Sequence, residues 1–428
     1  MIDPQAKPGR YLRLMVLVAL LGVISAGITF AFMALVHQGT HVVWVQTAEI
    51  VGVDPRLFTL LVCTLGGVLV GLLVKLFGDH SGIFAEVMRE FGKTGRFDYR
   101  NAPGIVITAF VSLISGASLG PEAPLADACG GMGTLIADRL KLDEQETRTL
   151  GYSGVSGMLA AFITNPFGGA LLSMEAAQGG MTGKTIYFWG LFPSLLASAV
   201  STVVFVGISG TFFETLYKFP NYIPRLVDLF YAAPLGLLGG AVGLLFMLSL
   251  DRLQRLFQPM KQHVVLRGLL GGLGMGIIGA LWPLTLFSGE AETTELILHA
   301  TEIGVVMLIV LGLAKLFATS LLLATGWKGG YIFPIMFASI ALGLALNLLF
   351  PSIPLAVIVA AVTAGALVAA LRAPLFAALF TMVLVQRETA AVVAVAVVIS
   401  ALLTALIALR IAQRASAQPQ AGPNSSEG

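Results

Sequence analysis

Residues 115–129 bring together the residue types and chain breaks that could do chemistry in a very apolar chain. The segment reads Ser-Gly-Ala-Ser-Leu-Gly-Pro-Glu-Ala-Pro-Leu-Ala-Asp-Ala-Cys, and its glycines and prolines prevent one continuous helix from crossing it. Pro121 and Pro124 suit the first turn of a helix, where a missing N–H costs nothing. A helix that begins there would direct free N–H groups and its positive dipole end at residues 116–120, and helix N-termini bind anions in this way.

Glu122 lies within this break. Its carboxylate would occupy an anion site while ionised and vacate it once protonated, which would gate an anion pathway inside a membrane. A purely structural carboxylate at a helix N-terminus is the alternative, but intramembrane ionisable residues are functional by default. Asp127 lies one turn further along the same helix, and we predict a structural hydrogen bond for it rather than a part in transport.

The composition places these residues in a membrane protein. Of the 428 residues, 57% are hydrophobic and only 11% are charged, and the mean hydropathy is +0.90, whereas soluble domains are about 25% charged. The apolar residues form repeated runs of the length that spans a bilayer, about 20 residues. We therefore predict an all-α polytopic membrane protein in a lipid bilayer. We predict no cofactor and no nucleic-acid partner, because no Walker loop, dinucleotide fingerprint or zinc-type Cys/His spacing occurs.

The apolar runs divide the chain into two halves of similar length. The predicted organisation is an N-terminus of residues 1–13, a first membrane repeat of 14–208, a connector of 209–228, a second membrane repeat of 229–409 and a disordered tail of 410–428. Basic residues lie near both termini and in the loop 251–267, whereas the loop 288–302 holds four glutamates and no Lys or Arg. The positive-inside tendency therefore predicts that both termini are cytoplasmic.

The two halves resemble each other at their helix breaks. Several residues of the first half are identical to residues 208 positions later, among them the pairs Gly157/Gly365, Leu159/Leu367, Ala161/Ala369 and Pro166/Pro374. Upstream, Gly120 corresponds to Gly330 at an offset of 210. Internal repeats with paired helix breaks are typical of transporters whose site lies at the repeat interface, near the membrane midplane. The repeats are inverted if each half spans the membrane an odd number of times.

Together these breaks resemble the CLC family of chloride channels and chloride/proton antiporters, over residues from about 60 to 385. The family's Gly-Arg-Glu-Gly-Pro motif is matched by Gly120-Pro121-Glu122-Ala123-Pro124. Its Gly-Ser-Gly-Ile-Pro motif is matched loosely by His80-Ser81-Gly82-Ile83-Phe84, and its Gly-Ile-Phe-Ala-Pro motif by Gly330-Tyr331-Ile332-Phe333-Pro334.

The resemblance implies an inverted-repeat fold with broken and re-entrant helices, a homodimer with one anion pathway in each subunit, and a bacterial inner membrane. It assigns Glu122 as the gating glutamate and Ser81 as a hydroxyl ligand of the anion, although a helix cap is the alternative for Ser81. The other anion-binding positions that it implies are Gly82, Gly120, Pro121, Ala123, Tyr331, Ile332 and Phe333.

The chain also departs from the family pattern. The motif arginine is replaced by Pro121, its second glycine by Ala123, and the proline after Ser-Gly-Ile by Phe84. No tyrosine follows Tyr331 and no apolar run follows Leu409. We therefore expect that the last helix of the family, with its central-site tyrosine, is missing.

Further departures concern the proton route. The inner proton-transfer glutamate of the antiporters aligns with Ala176, one residue after Glu175. Glu175 matches a glutamate that channels and antiporters share, and it is a candidate proton group, with a buried, hydrogen-bonded carboxyl as the alternative. We predict packing or charge-pair roles for Lys315 and Arg372, and packing rather than a central-ligand role for the Tyr331 side chain.

These observations predict transport of chloride or a related small anion through a pathway gated by Glu122, with exchange against protons as the preferred mechanism. A passive voltage- or pH-gated chloride channel is the alternative, and a fluoride/proton antiporter is a further one. A membrane-embedded enzyme would need a nucleophile–base pair or metal ligands. The five histidines are scattered in or near loops, so we predict no enzyme. We interpret Cys63 and Cys129 as inert buried residues, with a disulfide as the alternative.

Overall fold

The computed structural model describes residues 7–80, 82–177, 186–210 and 217–417. Seventeen α-helices form the framework of these ranges. The first half contains α1 Pro8–His41, α2 Thr47–Val51, α3 Pro55–Phe77, α4 Phe84–Thr94, α5 Ala102–Ile114, α6 Glu122–Arg139, α7 Glu144–Ile163, α8 Pro166–Ala176 and α9 Phe192–Ser209. The second half contains α10 Leu226–Phe257, α11 Val264–Leu281, α12 Glu290–Leu298, α13 Ala300–Ala324, α14 Ile332–Leu349, α15 Leu355–Leu371, α16 Pro374–Leu384 and α17 Ala390–Ala417.

Eight helical segments of the described chain are long and apolar enough to cross a membrane. They contain α1, α3, α9, α10, α11, α13, α14 and α17. The shorter α15 is apolar on all sides, and its residues from Ala356 to Leu371 are all buried, because a helix that is hydrophobic all round must be covered by others. The predicted all-α polytopic membrane fold is confirmed.

Local sequence explains where the helices begin. The Asp54 carboxylate accepts a hydrogen bond from the Arg56 N–H at 2.9 Å and caps α3. Asp143 caps α7 in a reciprocal capping box with Glu146, and the Asn165 side chain accepts from the Gly168 N–H at 3.0 Å to cap α8. Such caps satisfy N–H groups that have no partner within the helix.

The repeat that the sequence indicates is visible in the turns. Thr164 ends α7 with φ of 45°, and Arg372 ends α15 with φ of 55°, and these residues are 208 positions apart. Both turns lead directly into a helix that starts at a proline, Pro166 or Pro374. Because a left-handed residue between two helices is uncommon outside glycine, its recurrence at the offset of the sequence repeat supports equivalent α7–α8 and α15–α16 pairs.

Contacts near the ends of several helices define one face of the bundle. The Arg10 guanidinium donates to the carboxylates of Asp143 and Glu146 at 2.7 Å, so the N-terminus lies beside the α6–α7 turn. The Arg148 side chain donates to the Gly92 carbonyl at 3.1 Å, which adds the α4–α5 connection to this N-terminal face. That the N-terminal face is cytoplasmic stays a prediction.

The structure adjusts one expectation and confirms another. The last helix continues to Ala417, past the predicted end of the second membrane repeat at residue 409, because the residues that follow are largely good helix formers such as Ala, Arg and Gln. Cys63 and Cys129 are both buried free thiols, so the interpretation as inert buried residues is confirmed and the disulfide alternative is wrong.

Candidate functional site

The two helix breaks that align in the sequence meet in the middle of the structure. The Gly120 N–H donates to the Gly330 carbonyl at 2.9 Å, and the Gly330 N–H donates to the Gly120 carbonyl at 2.5 Å. We call this pair the glycine bridge. Since α6 begins at Glu122 and α14 at Ile332, the bridge brings the N-termini of two helices, one from each half, to the same place. Their unpaired N–H groups and dipoles favour negative charge there.

Glu122 fills this place. Its side chain is fully buried, and its Oε1 accepts a hydrogen bond from the Phe333 N–H at 3.4 Å. Its Oε2 has no hydrogen-bond partner among the residues that the structure describes. The carboxyl group packs so closely on the bridge that a Cβ atom added to Gly120 or Gly330 would overlap it. A carboxylate therefore lies where the N-terminus of α14 could hold an anion.

Two cavities approach the glycine bridge. We name them the outer and the inner cavity after the orientation that the loop charges predict. The outer cavity has a volume of about 430 Å³ and is lined by Leu119 and Pro121 of the break and by Glu290 and Glu292 of α12. The inner cavity, of about 420 Å³, is lined by Gly82, Ile83 and Lys328, and by side chains of the α10–α11 turn. Leu119 and Pro121 flank Gly120 in the chain and Lys328 lies two residues before Gly330, so residues next to the bridge line both cavities.

An ion triad of two buried cations and one partly exposed carboxylate borders the inner cavity. The Lys328 ammonium lies 3.1 Å from one carboxylate oxygen of Asp79, and the Arg267 guanidinium lies 2.5 Å from the other. Burial by itself raises the pKa of Asp79, but the charges of Lys328 and Arg267 outweigh it and hold that pKa below its ordinary value. Two cations share one carboxylate, so the triad has a net positive charge that attracts anions.

The predicted anion-binding residues gather at the bridge and the inner cavity, with two qualifications. Gly120 forms one half of the bridge, and the chain next to the bridge contains Ala123, Tyr331, Ile332 and Phe333. Gly82 lines the inner cavity. Pro121 precedes α6 at its N-cap but has no N–H to donate. Ser81 lies outside the described residues.

Glu175 is placed elsewhere. Its two carboxylate oxygens accept hydrogen bonds from the N–H groups of Leu375 at 3.0 Å and Phe376 at 2.8 Å. These residues begin α16, so Glu175 caps a helix of the other half. Both oxygens are engaged away from the glycine bridge, and this geometry agrees with the hydrogen-bonded alternative for Glu175.

The last two candidates discussed in the sequence are Lys315 and Asp127. The Lys315 ammonium donates to the carbonyls of Thr285, Leu286 and Phe287 at 2.8–3.0 Å, so Lys315 ties a turn to α13, as the packing interpretation implies. The hydrogen bond predicted for Asp127 is not made by its Oδ2, which is buried without a partner.

Sequence reasoning missed the triad of Asp79, Arg267 and Lys328. Its members are far apart in the chain, and each is unremarkable in its own segment. An ionisable residue inside a helix break, such as Lys328, was the available signal.

Comparisons with known proteins agree with this geometry. The family described as "Voltage gated chloride channel" matches residues 66–405. The ion-transport protein YfeO of Salmonella paratyphi A, so named, is 27% identical over 366 residues, which cover 83% of this chain and 85% of that protein. YfeO of Escherichia coli O1:K1 / APEC is 27% identical over 346 residues, which cover 79% of each chain.

Solved structures show the same architecture. A slow cyanobacterial Cl⁻/H⁺ antiporter superposes with a TM-score of 0.81 at 21% sequence identity. The superposition covers 98% of this chain and 100% of the antiporter chain. A CLC-type fluoride/proton antiporter superposes with a TM-score of 0.75 at 18% identity, covering 93% and 97% of the two chains. With the family match over most of its length, and with paired broken helices that meet at a buried glutamate, the chain belongs to the voltage-gated chloride channel family and has the CLC transporter fold.

Proposed function

We propose that this protein transports chloride or a related small anion across a membrane in exchange for protons, and that Glu122 is its gate. The observation that carries the proposal is the position of the Glu122 carboxyl. It is fully buried at the glycine bridge and accepts a hydrogen bond from the Phe333 N–H at the N-terminus of α14, and its other oxygen has no partner among the described residues. A negatively charged side chain at an anion site excludes the anion for as long as it stays there.

Protonation of Glu122 would open the pathway. A neutral carboxyl is held less firmly by helix dipoles and N–H groups than a carboxylate, so protonation frees the site for the anion. The anion then meets backbone N–H donors of Ile332 and Phe333 rather than a full positive charge, which suits the weak binding that transport requires. Each time an anion replaces the Glu122 carboxylate at this site, Glu122 therefore takes up one proton.

The choice between anion/proton exchange and passive conduction depends on observations that point in opposite directions. In favour of exchange, the buried Glu122 carboxyl lies against the glycine bridge that both cavities approach, and both superposed structures are named as proton antiporters. Against exchange, Ala176 has no titratable side chain, and Glu175 has both oxygens in a helix cap. A passive chloride channel with Glu122 as its gate is therefore the second candidate.

The deciding experiment uses the purified full-length protein in liposomes with the membrane potential clamped. An imposed chloride gradient is expected to drive uphill proton movement, and Glu122→Gln is expected to abolish proton movement while chloride flux persists and loses its pH dependence. Glu302→Gln, at an exposed position of α13, is the matched control and should behave as wild type.

Each contrary result has a distinct meaning. Chloride flux without proton movement in the wild type would establish the channel instead. Proton-coupled movement of fluoride but not chloride would assign the substrate to the fluoride alternative. Absence of flux of either anion would refute the transport proposal.

The homodimer, the bacterial inner membrane and the cytoplasmic termini are proposals that rest on family membership and on loop charge. Apolar side chains such as Val398, Leu402 and Leu406 of α17 are exposed on the single chain. This surface suits lipid or a second copy of the chain.

A further inference from the structure

Lys328 connects the break before α14 to the segment between α3 and α4. Its backbone N–H donates to the Ser112 hydroxyl of α5 at 3.3 Å. Its side chain passes Gly82 so closely that a Cβ atom added to Gly82 would lie 2.7 Å from Lys328 Cδ. The ammonium ends at Asp79 and His80. Lys328 is therefore held at both ends, which gives its charge a defined place at the inner cavity.

The ammonium of Lys328 has one hydrogen-bond donor to spare. An ammonium carries three N–H donors. One donates to a carboxylate oxygen of Asp79 at 3.1 Å, and a second donates to the His80 carbonyl. Within the described part of the chain the ammonium has no third acceptor. Since Lys328 lines the inner cavity, the third donor is available to a ligand that enters from this cavity.

The charges around this donor favour an anion. Lys328 and Arg267 share the Asp79 carboxylate, and the Arg267 guanidinium also donates to the Thr325 carbonyl at 3.2 Å. Both cations are nearly buried, so water screens their charges less than it would at a surface. The triad keeps one positive charge in excess, which a monovalent anion would cancel. The formal charges of the other ionised side chains that line the cavity sum to zero, and these are Glu86, Asp251, Arg255 and Lys261.

We propose that the Lys328 ammonium binds a small monovalent anion in the inner cavity through its third N–H donor. This site is separate from the place that Glu122 occupies at the glycine bridge, and its part in transport rests on the proposed function. Because two donors already fix the ammonium, the third is presented with little further loss of side-chain freedom. Binding there would raise the local concentration of the anion at the inner end of the pathway.

Bromide tests the site, because it is a monovalent anion that anomalous X-ray scattering can locate. In crystals of the full-length protein grown in bromide, we expect an anomalous peak within hydrogen-bond distance of Lys328 Nζ. The peak should be lost in Lys328→Gln and kept in Lys328→Arg, which retains the charge. Lys328→Gln leaves Asp79 paired with Arg267 alone, a pair without net charge, so we expect this variant to fold.

Lys261→Gln is the matched control. Lys261 lines the same cavity but is exposed, so this variant removes the same formal charge without removing the proposed ligand. The bromide peak at Lys328 should persist in it. Loss of that peak would show that the total charge of the cavity holds the anion, and would overturn the role of Lys328.

A flux measurement tests whether the bound anion belongs to the transport pathway. In liposomes, Lys328→Gln should raise the half-saturating chloride concentration about tenfold, because a charge-assisted hydrogen bond is lost. The maximal rate should stay the same or rise, since a weaker site releases its anion faster. Lys328→Arg and Lys261→Gln should both keep a half-saturating concentration close to that of the wild type.

Several results would contradict the proposal. No bromide at Lys328 in the wild type, or bromide retained in Lys328→Gln, would overturn the site. Bromide at Lys328 with an unchanged half-saturating concentration in Lys328→Gln would mean an adventitious ion only, and would overturn it equally. If Lys328→Gln does not fold, the wild-type bromide map decides by itself. Bromide at Lys328 in a protein that moves no anion would instead refute the transport proposal and leave the binding site standing.

Discussion

At the scale of single residues, Glu122 and Glu175 both lie at helix N-termini but differ in freedom. Glu122 accepts one hydrogen bond, from the Phe333 N–H at 3.4 Å, and leaves one oxygen unpaired. Glu175 accepts two, from the first turn of α16. A carboxylate with two charge-assisted hydrogen bonds is held in place, so Glu122 is suited to move and Glu175 to stay.

We therefore expect Glu175→Gln to affect stability and not coupling. The amide would set an NH₂ group against a backbone N–H of α16, and loss of one capping hydrogen bond should lower stability by about 1–2 kcal/mol. Thermal unfolding in detergent measures the loss, and the liposome assay should show the wild-type ratio of protons to chloride. A lower ratio with intact chloride flux would return Glu175 to the proton route.

At the scale of elements, two broken helices from different halves share one bridge. The α5–α6 and α13–α14 connections pair through Gly120 and Gly330, and the Glu122 side chain fills the space above the two Cα atoms. The absence of a Cβ atom at each position is what lets a carboxyl group reach the end of α14. The position of the Glu122 carboxyl therefore depends on these two glycines.

Gly330→Ala should displace Glu122. The backbone of Gly330 is not in the left-handed region, so alanine is sterically allowed there apart from its clash with the Glu122 carboxyl. We expect higher chloride flux with weaker pH dependence than wild type in liposomes. Gly207→Ala is the control, because nothing lies within 4 Å of a Cβ atom at that position. A wild-type pH profile for Gly330→Ala would contradict this account of the gate.

At the scale of the whole molecule, the Asp79 triad connects the two halves at the inner cavity. Asp79 follows α3, whereas Arg267 lies in α11 and Lys328 in the break before α14. The side chains of Lys328 and Arg267 are 5% and 8% exposed. Charges buried to this extent need their partner, so the triad both stabilises the assembly of the halves and sets the charge of the cavity.

Asp79→Asn should lower stability by about 3 kcal/mol, because it leaves two buried cations without a counter-charge. Since the pKa of Asp79 is lowered on folding, its contribution is present above the ordinary aspartate pKa of about 3.9 and is lost as the pH falls below it. Thermal unfolding in detergent should therefore show the difference between wild type and variant shrinking on acidification. Asp251→Asn, with an exposed pair to Arg255, is the control, and an equal loss there would contradict the prediction.

The sequence by itself determined the class, the breaks and the gate candidate. Apolar runs specify spanning helices because the bilayer demands them. Proline and glycine specify breaks through their own backbone geometry, which is why the breaks before Glu122 and Ile332 were predictable. The repeat was readable because it recurs at fixed offsets, and Thr164 and Arg372 occupy the same turn conformation in the two halves.

Only the tertiary structure decided which groups meet. The partners of Glu175 lie 200 and 201 residues away, and the Lys328–Asp79 pair spans 249 residues. Backbone preferences act over a few neighbouring residues, whereas hydrogen bonds and ion pairs between distant segments exist only once helices have packed.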